Sequence, residues 1–282
     1  MEIHQKPVYS YDFDKVTSPM GPRAMLRQVK ETQNISLPVH VEKVDADTDM
    51  SAADAIAYLQ KHQYNETYIA RLLSLGVMGR GTERKLVPTR WSITATDDML
   101  AKHLLESVKT YSFAEHTSYI GTYMGNTYVI FFFPEPWSFE LFEAYMPLPS
   151  STGGQAPSSQ ASVSFTSDYE GFYGRTVYAY NCAGGYYSVR LAVAEALKAM
   201  KRQASVFALR IIAPDYKVPL GVWVTREASR KALAQKPVGF ASKELMVQFL
   251  KAYVKKHFGF DVSPILSASK LLGARQKTLT EF

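Results

Sequence analysis

Residues 119–134 read Y-I-G-T-Y-M-G-N-T-Y-V-I-F-F-F-P. Two β-rich stretches, 119–123 and 127–133, flank the dipeptide Gly125-Asn126, so the segment predicts a hairpin closed by a tight two-residue turn. The second stretch ends in the longest apolar run of the chain, Y-V-I-F-F-F-P at 128–134. That run is far too short for a membrane span, and it is continuous rather than alternating. A continuous apolar strand is one covered on both faces, so this hairpin demands packing layers above and below a sheet.

Upstream, residues 98–111 have the periodicity of an amphipathic helix, and 66–75 predict another that stops at Gly76. Ser51 with Asp54 forms a capping-box pattern ahead of Ala52, Ile56 and Leu59. Residues 79–98 read as a loop that becomes strand-like near Trp91 and helical after Thr96 or Asp97. The first fifty residues are expected to be extended, punctuated by Pro7, Pro19, Pro22 and Pro38, with one alternating strand at 37–44 carried by Val39 and Val41. Downstream, strands are predicted at 163–166 and 176–181. A tight Ala183-Gly184-Gly185 turn then precedes a helix at 186–202 with Tyr186, Val189, Val193, Leu197 and Met200 on one face. Strands at 205–212 and 220–225 follow, the latter leading into a short helix. A helix at 242–257 carries Met246, Phe249, Leu250 and Tyr253. With no internal repeat and no regular βαβ rhythm, the expectation is an α+β fold. It would have a mixed sheet or sheets packed with several helices in one large domain. Any division would fall into two lobes, 1–149 and 161–272, around the low-complexity loop 150–160, with 273–282 as a tail.

Composition narrows the function classes. The 282 residues are 46% hydrophobic and contain no apolar run long enough to span a bilayer. The start M-E-I-H-Q-K-P has neither the basic nor the apolar region of a secretory signal, so the expected location is cytoplasmic. A single cysteine, Cys182, rules out an internal disulfide and a cysteine-built zinc site. The six histidines (His4, His40, His62, His103, His116, His257) show no metal-binding spacing. No metal site is predicted, and any cofactor stays undetermined. The net charge of +6 permits nucleic-acid binding, and its distribution matters more than its total.

Three constellations carry chemistry. Arg80, Arg84, Lys85 and Arg90 lie beside Trp91, pairing phosphate-neutralising cations with an indole face for an unpaired base. The alternative is a core Trp91, with Arg90 bound to a carboxylate such as Asp97. Second, Gly184 and Gly185 open a helix that carries Arg190 one turn in, a pattern that can seat a phosphate. A plain tight turn is the stronger reading of these glycines. Third, Asp97, Asp98, Asp168 and Glu170, with Glu140, Glu143, Glu195 and Glu227 in reserve, would hold Mg²⁺ for phosphodiester hydrolysis if the fold made them converge. Asp97 or Asp98 reads more simply as a residue at a helix amino terminus. No Walker or G-x-S-x-G pattern occurs, and Cys182 has no base nearer in prospect than His116.

The chain ends A-R-Q-K-T-L-T-E-F. Gln276, Leu279 and Phe282 are spaced three apart, so one 3₁₀ turn would project Leu279 and Phe282 together while the Gln276 amide anchors it. This resembles the motif by which replication and repair proteins dock on the PCNA-type sliding clamp, with one aromatic where two are usual. The interior adds a broader resemblance. Pro19-Met20-Gly21-Pro22, R-K-L-V-P-T-R-W-S-I-T-A-T-D-D at 84–98, Gly184-Gly185-Tyr186-Tyr187 with Arg190, Lys201-Arg202-Gln203-Ala204, and Pro219-Leu220-Gly221-Val222-Trp223 with Arg226, Glu227 and Arg230 are similar to blocks of the archaeal Nre family. That family usually carries a further cysteine-rich, zinc-finger-like N-terminal region with no counterpart among these residues. The resemblance implies a DNA-repair factor coupled to the clamp, working on DNA beside other repair proteins, and it supplies no reaction. Two readings from other classes stand beside it. One is an enzyme acting on a nucleotide or a DNA end through the Gly184-Gly185 turn and an acidic cluster. The other is an adaptor without DNA contact.

Overall fold

A computed structural model describes residues 2–3, 26–28, 36–146, 163–214, 216 and 221–272. The predicted loop at 150–160, Pro19-Met20-Gly21-Pro22 and the clamp-binding tail lie outside them. Two short strands, β1 (Glu2–Ile3) and β2 (Leu26–Gln28), pair in a small separate sheet.

Four of the predicted elements change character. Residues 37–44 were expected as a strand but belong to helix α1 (Val39–Ala46). Pro38 sets the extended residue before it, and Val41 and Val44, three apart, supply the buried face while Val39 stays exposed. Helix α2 (Ala52–Lys61) is capped by Ser51, which accepts from the Asp54 amide at 3.1 Å. Helix α3 (Glu66–Ser74) is capped by Asn65. After a 3₁₀ turn at Gly81–Glu83, helix α4 (Thr89–Val108) starts directly behind Pro88. Trp91 therefore sits in a helical first turn, not in a strand. Asp97 and Asp98 lie in the helix interior, not at its amino end. The β-branched run T-R-W-S-I-T-A-T favours a strand by propensity. Its buried positions Ser92, Thr96 and Asp97, continued by Leu100, Ala101, Leu105 and Val108, form a helical stripe that overrides it.

The opening hairpin forms as β3 (Thr117–Tyr123) and β4 (Asn126–Phe133). Tyr123 pairs with Asn126, so the turn is Met124-Gly125, one residue earlier than predicted, and both residues have positive φ. A strand that was not anticipated, β5 (Ser138–Tyr145), follows, then β6 (Ser164–Glu170). The stretch 176–181 is a loop rather than a strand. Helix α5 (Ala183–Met200) contains Gly184 and Gly185 in its first turn. Strand β7 (Ser205–Ile212) matches its prediction, whereas the residues expected as a strand from 222 onward form helix α6 (Val222–Leu233). Strand β8 (Val238–Gly239), helix α7 (Lys243–Phe258) and helix α8 (Ser263–Ala268) complete the order.

The six strands β3 to β8 form one sheet in the order β6-β5-β7-β4-β3-β8, antiparallel except for the parallel β5–β7 pair. Strands from both sides of the 150–160 segment therefore share a single sheet, and the α+β class holds as one domain. Helices α5 and α6 lie on one face, α4 packs on α5, and α2 and α3 pack on α4. On the other face α7 and α8 cover Phe131, Phe142, Phe207 and Leu209. Both faces of β4 and β7 are thus buried, which is why each reads as a continuous apolar run. Among the described residues, no helix is long and apolar enough to cross a membrane.

Candidate nucleic-acid interface

The amino end of α4, beyond α5 from the sheet, reaches the surface. Arg90 and Trp91 stand exposed in its first turn, with the guanidinium carbon 5.8 Å from the indole centroid, a cation–π contact. Trp91 is 52% exposed, so it is not core, and Arg90 has no ion pair to Asp97. The ring of Tyr178 lies 6.2 Å from Trp91, and Tyr180 lies 5.2 Å beyond Tyr178. Arg80 and Lys85 are exposed on the approach to this turn.

Arg84 has a different job. Its guanidinium donates to the carbonyls of Gly79 (2.7 Å), Asp45 (2.7 Å), Asp47 (2.9 Å) and Val44 (3.1 Å). It closes the carboxyl end of α1, where unpaired carbonyls and the negative helix end favour a cation.

The amino end of α5 is filled from within. Asp168 accepts from the amides of Cys182 at 2.8 Å and Asn181 at 3.0 Å, and Arg175 pairs with its other oxygen at 3.1 Å. An internal carboxylate thus holds the position that sequence reading offered to a phosphate. A Cβ on Gly184 would meet Val222 of α6 at 2.6 Å, and one on Gly185 would meet the Glu143 carboxylate at 2.8 Å. The glycines are helical, without the tight turn expected of them, and their bare Cα atoms allow these close approaches. Arg190 is buried, paired to Glu170 at 2.6 Å and to Asp98.

The carboxylates expected to converge are dispersed among cations instead. Asp98 and Glu170 share Arg190, and Asp97 binds Arg226. Glu195 and Glu227 each lie 2.8 Å from Arg230, which also meets Glu66 at 3.0 Å. Glu143 pairs with Arg210 at 2.6 Å. Glu140 receives the Ser269 hydroxyl at 2.5 Å and the Lys270 amide at 2.8 Å. Among the described residues, no three His, Cys, Asp or Glu side chains are grouped to hold a metal ion. Cys182 and His116 lie on opposite faces of the sheet. Cys182 belongs to the α5 side, where burial pushes its thiol well up, and His116 packs on Phe133. Burial also pushes Asp97 up to about 6, opposed by the Arg226 guanidinium.

These pairs join α3, α4, α5 and α6 through residues of the sequence blocks noted above: Asp97 and Asp98, Arg190, Arg226 and Arg230. The chain matches the family described as archaeal Nre, N-terminal, over residues 1–151, and archaeal Nre, C-terminal, over residues 170–282. The chain belongs to the archaeal Nre family. It is 39% identical over 272 residues to the DNA repair protein NreB of Archaeoglobus fulgidus, covering 96% of this chain and 66% of that protein. It is 37% identical over 220 residues to the DNA repair protein NreA of Haloferax volcanii, covering 78% of this chain and 51% of that one. The NreA of A. fulgidus is 36% identical over 240 residues, 82% of this chain and 57% of its own length. This Nre chain thus spans between half and two thirds of the relatives it matches. No solved structure matches it.

Sequence reasoning found Arg90 and Trp91 because they are neighbours in the chain. It missed Tyr178 and Tyr180, which were assigned to a strand. Their available signal was the run G-F-Y-G-R-T-V-Y-A-Y at 171–180, rich in aromatics yet bracketed by glycines.

Proposed function

We propose that this Nre chain is a DNA-repair factor that contacts DNA at the amino end of α4 while held on the sliding clamp by Gln276, Leu279 and Phe282. The observation that carries the DNA contact is the exposure of Arg90 and Trp91 together, in van der Waals reach of Tyr178. A buried tryptophan packs a core, whereas one exposed under a free guanidinium offers a stacking face beside a phosphate ligand. The relatives named as DNA repair proteins support the biological setting. The clamp contact rests on the spacing of Gln276, Leu279 and Phe282.

Two titrations test this. DNA affinity is measured across salt concentrations for the parent chain and for Lys85→Ala/Arg90→Ala. Each lost phosphate contact flattens the logarithmic salt slope by about 1. An unchanged slope would remove this surface. Calorimetry against the cognate clamp should give micromolar or tighter binding, about −8 kcal/mol, abolished in Leu279→Ala/Phe282→Ala. Absence of binding by the parent chain would remove the tether.

A further inference from the structure

The loop at 171–182 does not stay beside Trp91. It starts at a turn in which Gly174 donates to the Gly171 carbonyl at 2.9 Å, with Phe172 and Tyr173 at its tip. Lys109, at the carboxyl end of α4, sits 5.1 Å over the Phe172 ring. The loop then runs along α4 until Tyr178 reaches Trp91 at the amino end. Arg175 fixes this path by donating to the carbonyls of Tyr169 (2.8 Å), Val177 (3.1 Å) and Tyr178 (3.1 Å). The aromatics it carries face solvent: Tyr173 is 98% exposed and Tyr180 76%, with Phe172 at 40%.

Resting on the DNA reading above, we infer that this strip is a stacking track for single-stranded DNA running the length of α4, from Phe172 and Tyr173 to Trp91. Trp91 and Lys109 are separated by about 27 Å at 1.5 Å per residue. That is roughly eight nucleotides at a stacked spacing of about 3.4 Å, and fewer if the strand is extended. Rings held this far out of the surface find partners in unpaired bases. A duplex keeps its base faces stacked internally and offers them nothing.

Charge agrees with an anionic guest. The carboxylates along the track are already matched, Asp98 by Arg190 and Lys102, Asp168 by Arg175, and Glu170 by Arg190. Arg90 and Lys109 stand at the two ends, each over an aromatic ring. With more rings than cations, stacking outweighs charge, and the salt slope for single strands is shallow, on the order of −1 to −2.

The test is fluorescence anisotropy with the full chain, a labelled twelve-nucleotide oligothymidylate and a mixed-sequence duplex of equal length. The single strand binds roughly tenfold tighter than the duplex. Phe172→Ala/Tyr173→Ala and Tyr180→Ala each weaken it by roughly tenfold, as loss of one or two stacked bases requires. Both variants alter exposed side chains, and circular dichroism confirms that they fold. If the duplex binds equally well and the variants change nothing, the track is wrong while the DNA contact at Arg90 and Trp91 stands. If neither nucleic acid binds, both fall. If the parent chain is a dimer that these variants dissociate, the strip is a self-association surface and the inference is overturned.

Discussion

The two faces of the central sheet bury similar aromatic surfaces and are held by different physics. Under α7 and α8 the core is apolar, with Phe131, Phe142, Phe207, Met246, Leu250 and Val254 meeting side to side. Its buried carboxylate, Glu140, accepts from the Ser269 hydroxyl and the Lys270 amide in the turn that follows α8. The opposite face carries Arg190, Arg210 and Arg226, each buried and each bound to a carboxylate on another element. Apolar contact is non-directional, so the α7 side gains stability without choosing a register. A buried ion pair adds little net stability once desolvation is counted, yet it fixes which residues meet. The helices positioned by charge are those whose outer layer presents Trp91 and the aromatic loop.

Breaking one member of a pair should therefore cost more than its presence gains. Arg190→Ala leaves the buried Glu170 without its cation, with only the Trp137 indole N–H still donating to it, and leaves Asp98 to Lys102 alone; denaturant unfolding should show a loss of about 4 kcal/mol. A loss below about 1 kcal/mol would show that the pairs are dispensable. On the apolar face, Leu250→Ala should cost about 3 kcal/mol by cavity formation, with DNA affinity unchanged. Loss of DNA affinity there would break the distinction between the faces.

Titration sharpens it further. The folded state raises Asp97 from 3.8 to about 6, so it holds its proton more tightly than the unfolded chain does. Its contribution favours folding below pH 4 and is lost as pH rises from about 4 to about 6, an effect of about 3 kcal/mol. Subtracting the stability profile of Asp97→Asn from that of the parent should expose this slope; a flat difference would contradict it. Glu140→Ala should cost about 1 kcal/mol through the lost hydrogen bonds to the turn after α8, measurable as a shifted denaturation midpoint. Tyr173→Ala should move stability by less than about 0.5 kcal/mol.

Elements with one unambiguous pattern were legible in advance: the β3–β4 hairpin and β7 from their continuous apolar runs, and α5 and α7 from their helical period. Three of the misread ones share a cause. Residues 37–44, 89–96 and 222–225 are rich in valine, threonine and tryptophan, which local propensity assigns to strands. Each lies at the start of a helix whose buried stripe decides the matter only once neighbouring helices are present. Strand β5 escaped because S-F-E-L-F-E-A-Y holds two glutamates. Both are buried, on opposite faces, with partners about 70 residues or more away in the chain. The site was half legible for the same reason. Arg90 and Trp91 are adjacent, but Tyr178 joins them only because a loop some ninety residues later lies along α4.

The parallel pair at the centre of the sheet sets a timetable for synthesis. Strands β4 and β5 follow one another in the chain, yet β7 lies between them. At about 5–20 residues per second, roughly 3–14 s separate the end of β5 from the end of β7. Throughout that interval the edges of β4 and β5 that β7 will fill stay open, with only β6 arriving to cover the other edge of β5, and such edges recruit other strands. A fragment ending near residue 151, which lacks β6 and β7, should therefore aggregate rather than fold, as light scattering would show.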